Sequence, residues 1–562
     1  MKAIEVKGLG FKYLRGKEPS LKGISFQQDS GEAVAICGRS GAGKSSFLFC
    51  LNRIIPNFYA GDFSGEIRIF SQAISSKKTY ELAQSVGMVL QDFEAQLFSS
   101  RAELDVAFGP ENLGLEREEI SRRIEKALSS VGMENFRHRA PDTLSGGEKQ
   151  RLAIASVLAL EPEILIFDEA TTDLDPLGRE QVWAVMRKLK EEKKTILFVD
   201  HEPEALAQSE QMVIFEQGEI VREGKTLQLL AEPEILKKYG IRAPEIAELF
   251  SQLNISPLET DPKQAGKILK EKGFKLNRAR VEKLKERDRE RNQRKNQAII
   301  EARSLEHIYP GGQQALAGID LKVFSGDFLA IIGQNGSGKT TLVKHFNGLL
   351  TPNSGEVRFK GEKIKSGLVA ELGREIGFVF QNPDHQIFAH TVYDEVAFAP
   401  RNYGLSEEEV KKRVEFALEL VGLSGRENEN PFLMTKGERQ RLAIAGVLSS
   451  GAEVLILDEP TTGLDYQEQM RVMELLKKLN QEGHTIIIIT HTLWLVANYA
   501  RRAVVLSRGE KILEGTVREV LTQPELLAKA SLKPPAITEL GLELGFGFLN
   551  VDEAVQVLEK EK

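Results

Sequence analysis

Short runs of consecutive apolar residues recur along the chain, and each closes on a glycine, an acid or a hydroxyl. AVAICG (33–38) and FLAIIG (328–333) end in glycine and run on into helix-forming text. ILIFD (164–168), VLILD (454–458), TILFVD (195–200) and TIIIIT (485–490) have the same apolar character. Such strands leave no polar face for water. Alternating with helical segments, they predict an α/β fold whose parallel sheets are covered on both faces. Ligands in such sheets sit at the carboxyl ends of the strands. One stretch breaks the pattern. NRARVEKLKERDRERNQRKNQ (277–297) is nearly free of apolar residues and mixes both charges. It predicts a solvated linker or a single charged helix. Its acids interleave with its bases and it has no aromatic residue to stack on, which argues against a nucleic-acid arm.

The apolar runs come in pairs because the chain is written twice. GRSGAGKS (38–45) matches GQNGSGKT (333–340), and QDFEAQLF (91–98) matches QNPDHQIF (381–388). ILIFDEATTDLD (164–175) matches VLILDEPTTGLD (454–465). LSGGE (144–148) corresponds to MTKGE (434–438), 290 positions later (434 − 144). APEIAEL (243–249) is echoed by PPAITEL (534–540) near the end. A period this long marks a duplicated domain, not a solenoid. The expected layout is a first domain over 1–240 with a C-terminal extension over 241–275, a charged linker over 276–298, a second domain over 299–530 and its extension over 531–562.

Composition removes several alternatives. The formal net charge is −7, so no global basic field points to nucleic acid. Cys37 and Cys50 are the only cysteines, too few for a disulfide framework or a zinc cluster, and both lie in apolar text as small buried hydrophobes. The run Ile486–Ile489 is strand-sized, far short of the ~20 residues a membrane helix needs. The opening MKAIEVKG has no signal-type apolar region. A membrane role is therefore expected to come through partners.

The chemistry lies in the matched motifs. G-x-x-x-x-G-K-[ST] occurs twice, each time between an apolar strand and a helix, where its backbone N–H groups can close around phosphates. The candidate ATP-binding residues are Gly38, Arg39, Ser40, Gly41, Ala42, Gly43, Lys44, Ser45 and Ser46 in the first copy. In the second they are Gly333, Gln334, Asn335, Gly336, Ser337, Gly338, Lys339, Thr340 and Thr341. Lys44 and Lys339 reach for the outer phosphates. Ser45 and Thr340 are candidate Mg²⁺ ligands, together with Asp168 and Asp458 at the ends of apolar strands. Glu169 and Glu459 follow directly and can orient or deprotonate the attacking water. Gln91 and Gln381 can bridge metal and water, and His201 and His491 can clamp the γ-phosphate. Tyr13 and Tyr309, at matched places before the two loops, can stack on adenine.

P-loop, glutamine loop, LSGGE, acid-ended strand with glutamate, D-loop and histidine loop, in that order and twice over, resemble the ATP-binding cassette family. The resemblance covers nearly the whole chain. It implies two tandem P-loop ATPase domains, each with a helical subdomain, that pair head to tail within the chain. Each ATP would lie between the P-loop of one cassette and the signature of the other, with Asp175 and Asp465 of the D-loops crossing between them. The text after each glutamine loop (91–115 and 381–405) and the small extensions resemble the ATPases of energy-coupling factor importers for vitamins and metal ions. That implies a chain on the cytoplasmic face of the cell membrane. There it would bind a transmembrane component, which carries a substrate-binding membrane component, with no nucleic acid involved. Asp105 and Glu395, at matched places, are candidates to pair with arginines of that partner. A fused sugar-importer ATPase and a soluble tandem-cassette translation factor are the competing readings. A repair ATPase would need zinc modules, which two cysteines cannot supply.

The two signatures differ. By cross-pairing, Ser145, Gly146 and Gly147 would serve the second P-loop, and Thr435, Lys436 and Gly437 the first. Lys436 replaces a glycine. A side chain there would crowd the phosphate and restrict the backbone, or else hold the phosphate as a static charge. The expectation is asymmetric hydrolysis, with the site served by Lys436 impaired.

Overall fold

The computed structural model describes residues 1–172, 174–256, 259–292, 297–365 and 367–561. It divides into two units, 1–247 with 465–467 and 248–464 with 468–562.

The predicted apolar strands all form. In the first unit Ala33–Gly38 lies inside a six-stranded sheet, flanked by Thr195–Val199 and Gln211–Glu216 in parallel. Ile164–Asp168 and Val86–Val89 continue the parallel order outward, and Glu219–Lys225 closes the other edge antiparallel. Side chains leave the central strand alternately. Ala33, Ala35 and Cys37 join a core built with the helices carrying Val106, Leu152 and Val182. Val34 and Ile36 join a second core with Phe47 and Leu48 of the helix Lys44–Leu51. Burial on both faces is why these strands read as unbroken apolar text. The second unit repeats the plan. Phe328, Ala330 and Ile332 go to one core, and Leu329 and Ile331 to the other.

Each unit also holds a four-stranded antiparallel sheet that covers one face of the core. In the first, Lys2–Tyr13 pairs with Leu21–Asp29 on one side and Gly61–Ile69 on the other. These strands alternate buried and exposed positions and shift register several times, so they leave no apolar run to read. A helical layer follows each glutamine loop. Its members are Ala102–Asn112, Arg117–Ser130 and Gly146–Leu158 in the first unit.

The charged stretch forms the single charged helix, Arg278–Asn292, and most of its charged side chains are exposed, but one face is docked through Val281 and Leu284. Arg287 pairs with Glu553 at 2.7 Å, and Asp288 accepts from Arg518 at 2.7 Å. Arg280 donates to the Gln556 carbonyl. Just before it, Phe274–Leu276 forms a two-stranded antiparallel sheet with Leu558–Lys560. Three of its charged residues, Arg280, Arg287 and Asp288, are thus partners for residues near the end of the chain. Residues 293–296 of the expected linker lie outside the described residues. Among the described residues no helix is long and apolar enough to cross a membrane.

Candidate nucleotide sites

Both P-loops are held by backbone geometry that only glycine takes without strain. Gly43 and Gly338 cap their helices at φ 99°, and a Cβ on either would strike the carbonyl of Ser20 or Ala315. The following lysines are buried and fold over their own loops. Lys44 donates to the carbonyls of Gly38 and Arg39 at 2.9 and 3.0 Å, and Lys339 to Gly333 and Gln334, both at 2.8 Å. Each loop thus brings a buried ammonium next to the start of a helix, whose first N–H groups lack helical partners, an arrangement suited to polyphosphate.

The hydroxyl and the carboxylate expected to share a divalent cation are already neighbours. Ser45 donates to Asp168 at 3.1 Å and Thr340 to Asp458 at 2.7 Å. Burial, and the charge of the next glutamate, push both aspartates up to about 6. Hard oxygen donors on an underneutralised carboxylate fit Mg²⁺ carried in with a nucleotide.

Glu169 and Glu459 sit at φ 49° and 48°, left-handed values uncommon for a side-chain-bearing residue. Gln91 Nε2 donates to Glu169 Oε2 at 2.8 Å, and His201 Nε2 lies 3.0 Å from Glu169 Oε1. In the second cassette His491 turns its other nitrogen, Nδ1, to Glu459 at 2.9 Å. The histidines expected at the γ-phosphate therefore also hold the glutamates. Gln381 is exposed at the matched place. The first cassette adds a residue that the sequence pattern did not single out. Asp200 is buried, accepts from Thr171 Oγ1 at 2.5 Å, and takes the N–H groups of His201 and Glu202. Thr490 occupies that place in the second cassette, where its hydroxyl accepts the N–H of Thr492.

The tyrosines reach the P-loop helices. Tyr13 meets Ser46 Oγ at 3.0 Å, and Tyr309 meets Thr341 Oγ1 at 3.1 Å. Their rings are only partly buried, so a base can lie on them.

Both signature segments begin helices with a capping box, Ser145 with Glu148 and Thr435 with Glu438. The expected backbone restriction at Lys436 is not found. Neither Gly146 nor Lys436 takes a positive φ, and a Cβ on Gly146 would meet nothing within 4 Å. The first position of a helix asks for no glycine. The lysine side chain instead runs over Gly463 of its own cassette, where an added Cβ would strike its Nζ. At the matched sequence positions the first cassette carries Gly146 and Asp173; Asp173 lies outside the described residues.

Asp105 and Glu395 are also corrected. They are 3% and 7% exposed, closed to a partner's arginine. Asp105 accepts the N–H groups of Phe98 and Ser99, both at 3.1 Å. Glu395 accepts those of Phe388 and Ala389 at 3.0 and 2.9 Å. Each carboxylate fixes a turn that holds a phenylalanine out to solvent. Phe98 and Phe108 meet edge to face at 4.8 Å, and Phe388 and Phe398 at 4.6 Å. All four rings are about half exposed or more. The cysteines are buried as expected, and burial pushes both thiols up to about 12.

Fold and sites define a chain with two P-loop nucleotide-binding cassettes. The ABC transporter family profile matches residues 21–172 and 316–462. A protein of Caldanaerobacter subterraneus, provisionally named as an ABC transporter ATP-binding protein, is 46% identical over all of this chain and 99% of its own. A similarly named protein of Methanosarcina mazei is 38% identical over 98% of this chain and 96% of its own. A solved structure of cbiO1 from Clostridium perfringens, described as part of the ABC transporter complex cbiONQ, is 39% identical. It covers 41% of this chain and 94% of its own, with a TM-score of 0.39. The chain belongs to the ABC transporter family, as an ATP-binding component with two cassettes.

Proposed function

We propose that the chain is the energy-coupling ATPase of an energy-coupling factor importer for a vitamin or a metal ion. The observation that carries this reading is the duplicated pair of exposed phenylalanines beside the glutamine loops, each pair held out by a buried carboxylate. A solvated ATPase has no use for two matched apolar knobs, whereas an amphipathic helix of a membrane component does. The resemblance of segments 91–115 and 381–405 to that group's ATPases supports the same partner.

In this reading the N–H groups of the P-loops, with Lys44 and Lys339, bind the phosphates, and Tyr13 and Tyr309 stack on the bases. Ser45, Thr340, Asp168, Asp458, Gln91 and Gln381 would hold Mg²⁺, which neutralises charge on the phosphates when bound. Glu169 and Glu459 orient the water and take its proton, and His201 and His491 keep each glutamate in place. By family resemblance the opposite cassette's signature completes each site, so ATP closes the cassettes and hydrolysis reopens them. The glutamine loops carry that motion to the phenylalanine pairs and the membrane partner.

The test is purification of the full chain from native membranes, with identification of what accompanies it. A transmembrane component that is lost in a Phe98→Ala, Phe108→Ala, Phe388→Ala, Phe398→Ala variant is expected. Ribosome association without a membrane partner would overturn the reading in favour of the translation factor.

A further inference from the structure

Two buried imidazoles lie behind Tyr309 in the second cassette. His345 is 1% exposed and His307 8%. His345 Nδ1 lies 2.7 Å from the Thr341 carbonyl, which can only accept, so Nδ1 carries the proton. His345 Nε2 is then a bare acceptor, 3.2 Å from His307 Nδ1, which must be the donor. His307 packs edge to face on Tyr309 at 4.7 Å, and the Tyr309 hydroxyl returns to Thr341 Oγ1 at 3.1 Å. Thr341, His345, His307 and Tyr309 thus form a closed circuit that sets the tyrosine ring against the P-loop helix.

The first cassette has the same circuit without the imidazoles. Phe11, two residues before Tyr13 as His307 is before Tyr309, meets Tyr13 edge to face at 4.8 Å. Cys50, six residues after Lys44 as His345 is after Lys339, fills the other place. One chain therefore carries one version of this support with imidazoles and one without them.

We propose that His307 and His345 are positioning residues for Tyr309, and that they make nucleotide affinity at the second site, but not the first, fall as pH drops into the acid range. The inference rests on Tyr309 being the base-stacking ring. A proton taken up on His345 Nε2 sets two donors against each other over 3.2 Å, so the circuit opens. The titratable neighbours facing His345 are His307 on the strand Ala298–Ile308 and Tyr309 just beyond it. The backbones of Thr341 and Thr351 also act on it. Burial, which dominates, and the charge of His307 hold His345 below the usual histidine value. The sign follows. The neutral circuit is intact above about pH 6.5, the ordinary histidine value, and is lost as pH falls below it through the lower folded-state value.

The experiment measures binding of a ribose-labelled fluorescent ATP analogue with Mg²⁺ from pH 7.5 to 5.5 on the full chain. Lys44→Ala isolates the second site and Lys339→Ala the first. The second site is expected to lose roughly ten-fold more affinity than the first over this range, the scale of one aromatic–base stack. Replacing His307 with Phe and His345 with Cys, the first cassette's own residues, is expected to remove that excess. His307→Phe alone gives the same answer should the double variant fail to fold. Parallel pH profiles for the two sites, or an excess that survives either replacement, would overturn the proposal. Tyr309→Ala at pH 7.5 separates the underlying reading. Unchanged affinity there would reject Tyr309 as the base platform, whatever the pH profiles show.

Discussion

Gln91 Nε2 donates to Glu169 Oε2 over 2.8 Å, so the glutamine loop and the general-base candidate are directly joined. Any motion of the loop moves the carboxylate. A Glu169→Gln side chain keeps the shape and one acceptor oxygen for Gln91 but cannot take a proton from water. Glu169→Gln combined with Glu459→Gln is expected to lower ATP turnover at least about a hundred-fold, within the range of general-base loss. MgATP binding should persist. Steady-state phosphate release beside equilibrium nucleotide binding checks this, and full turnover in the double variant would remove both glutamates from the chemistry.

Asp105 is structural, and its substitution should show that. Asp105→Ala leaves the N–H groups of Phe98 and Ser99 without their acceptor in a partly buried turn. Such a loss costs about 1–3 kcal/mol of stability. Asp105→Asn keeps an acceptor oxygen and is expected to cost less. Phe98→Ala with Phe108→Ala touches exposed rings, so the denaturation midpoint should hardly move while capture of the membrane component is lost. Denaturant melts with co-purification separate the two roles. An Asp105→Ala chain as stable as the parent would show that the turn does not need its carboxylate.

Cys37 and Cys50 should be chemically silent in the folded chain. Burial lifts both thiols to about 12, so at pH 8 only about one in 10⁴ is thiolate. The reactive form appears only as pH climbs toward that value or as the unit unfolds. Iodoacetamide at pH 8 is expected to label neither residue natively and both in guanidinium. Native labelling of Cys37 would mean that the central strand opens far more readily than its packing suggests.

Much of this was legible in the sequence, for identifiable physical reasons. Parallel strands buried on both faces must be apolar throughout, and the P-loops demand glycine at Gly43 and Gly338. The antiparallel sheet was not legible, because strands such as Lys2–Tyr13 alternate their burial and shift register. The docking of Arg278–Asn292 was hidden as well. Its partners lie 230 residues away for Asp288 and 266 for Arg287, and a charge does not announce its counter-ion. Asp105 misled because an acid on a helix after a loop reads as surface. Only the fold shows that its carboxylate turns inward onto backbone N–H groups.

The unequal signatures remain the sharpest question that the duplication poses, and the structure narrows it. Glycine is not required at Gly146 by backbone angle or by space, so Lys436 does not fail by distorting its helix. What remains is the side chain, which lies over Gly463, while the first cassette has a glycine and an aspartate at the matched sequence positions. A cation on that edge can bind the phosphate in the ground state as well as in the transition state, and uniform binding does not speed the step. If the signatures serve opposite P-loops, Glu459→Gln disables the site completed by Ser145, Gly146 and Gly147 and should remove most turnover. Glu169→Gln should remove little. Lys436→Gly is then expected to raise the turnover of a Glu459→Gln chain several-fold, with Lys436→Gly plus Gly463→Asp reproducing the first cassette's own residues at these positions. Single-turnover hydrolysis on these chains measures each site separately. Equal losses in the two glutamate variants would show that Lys436 is tolerated and that both ATPs are consumed alike.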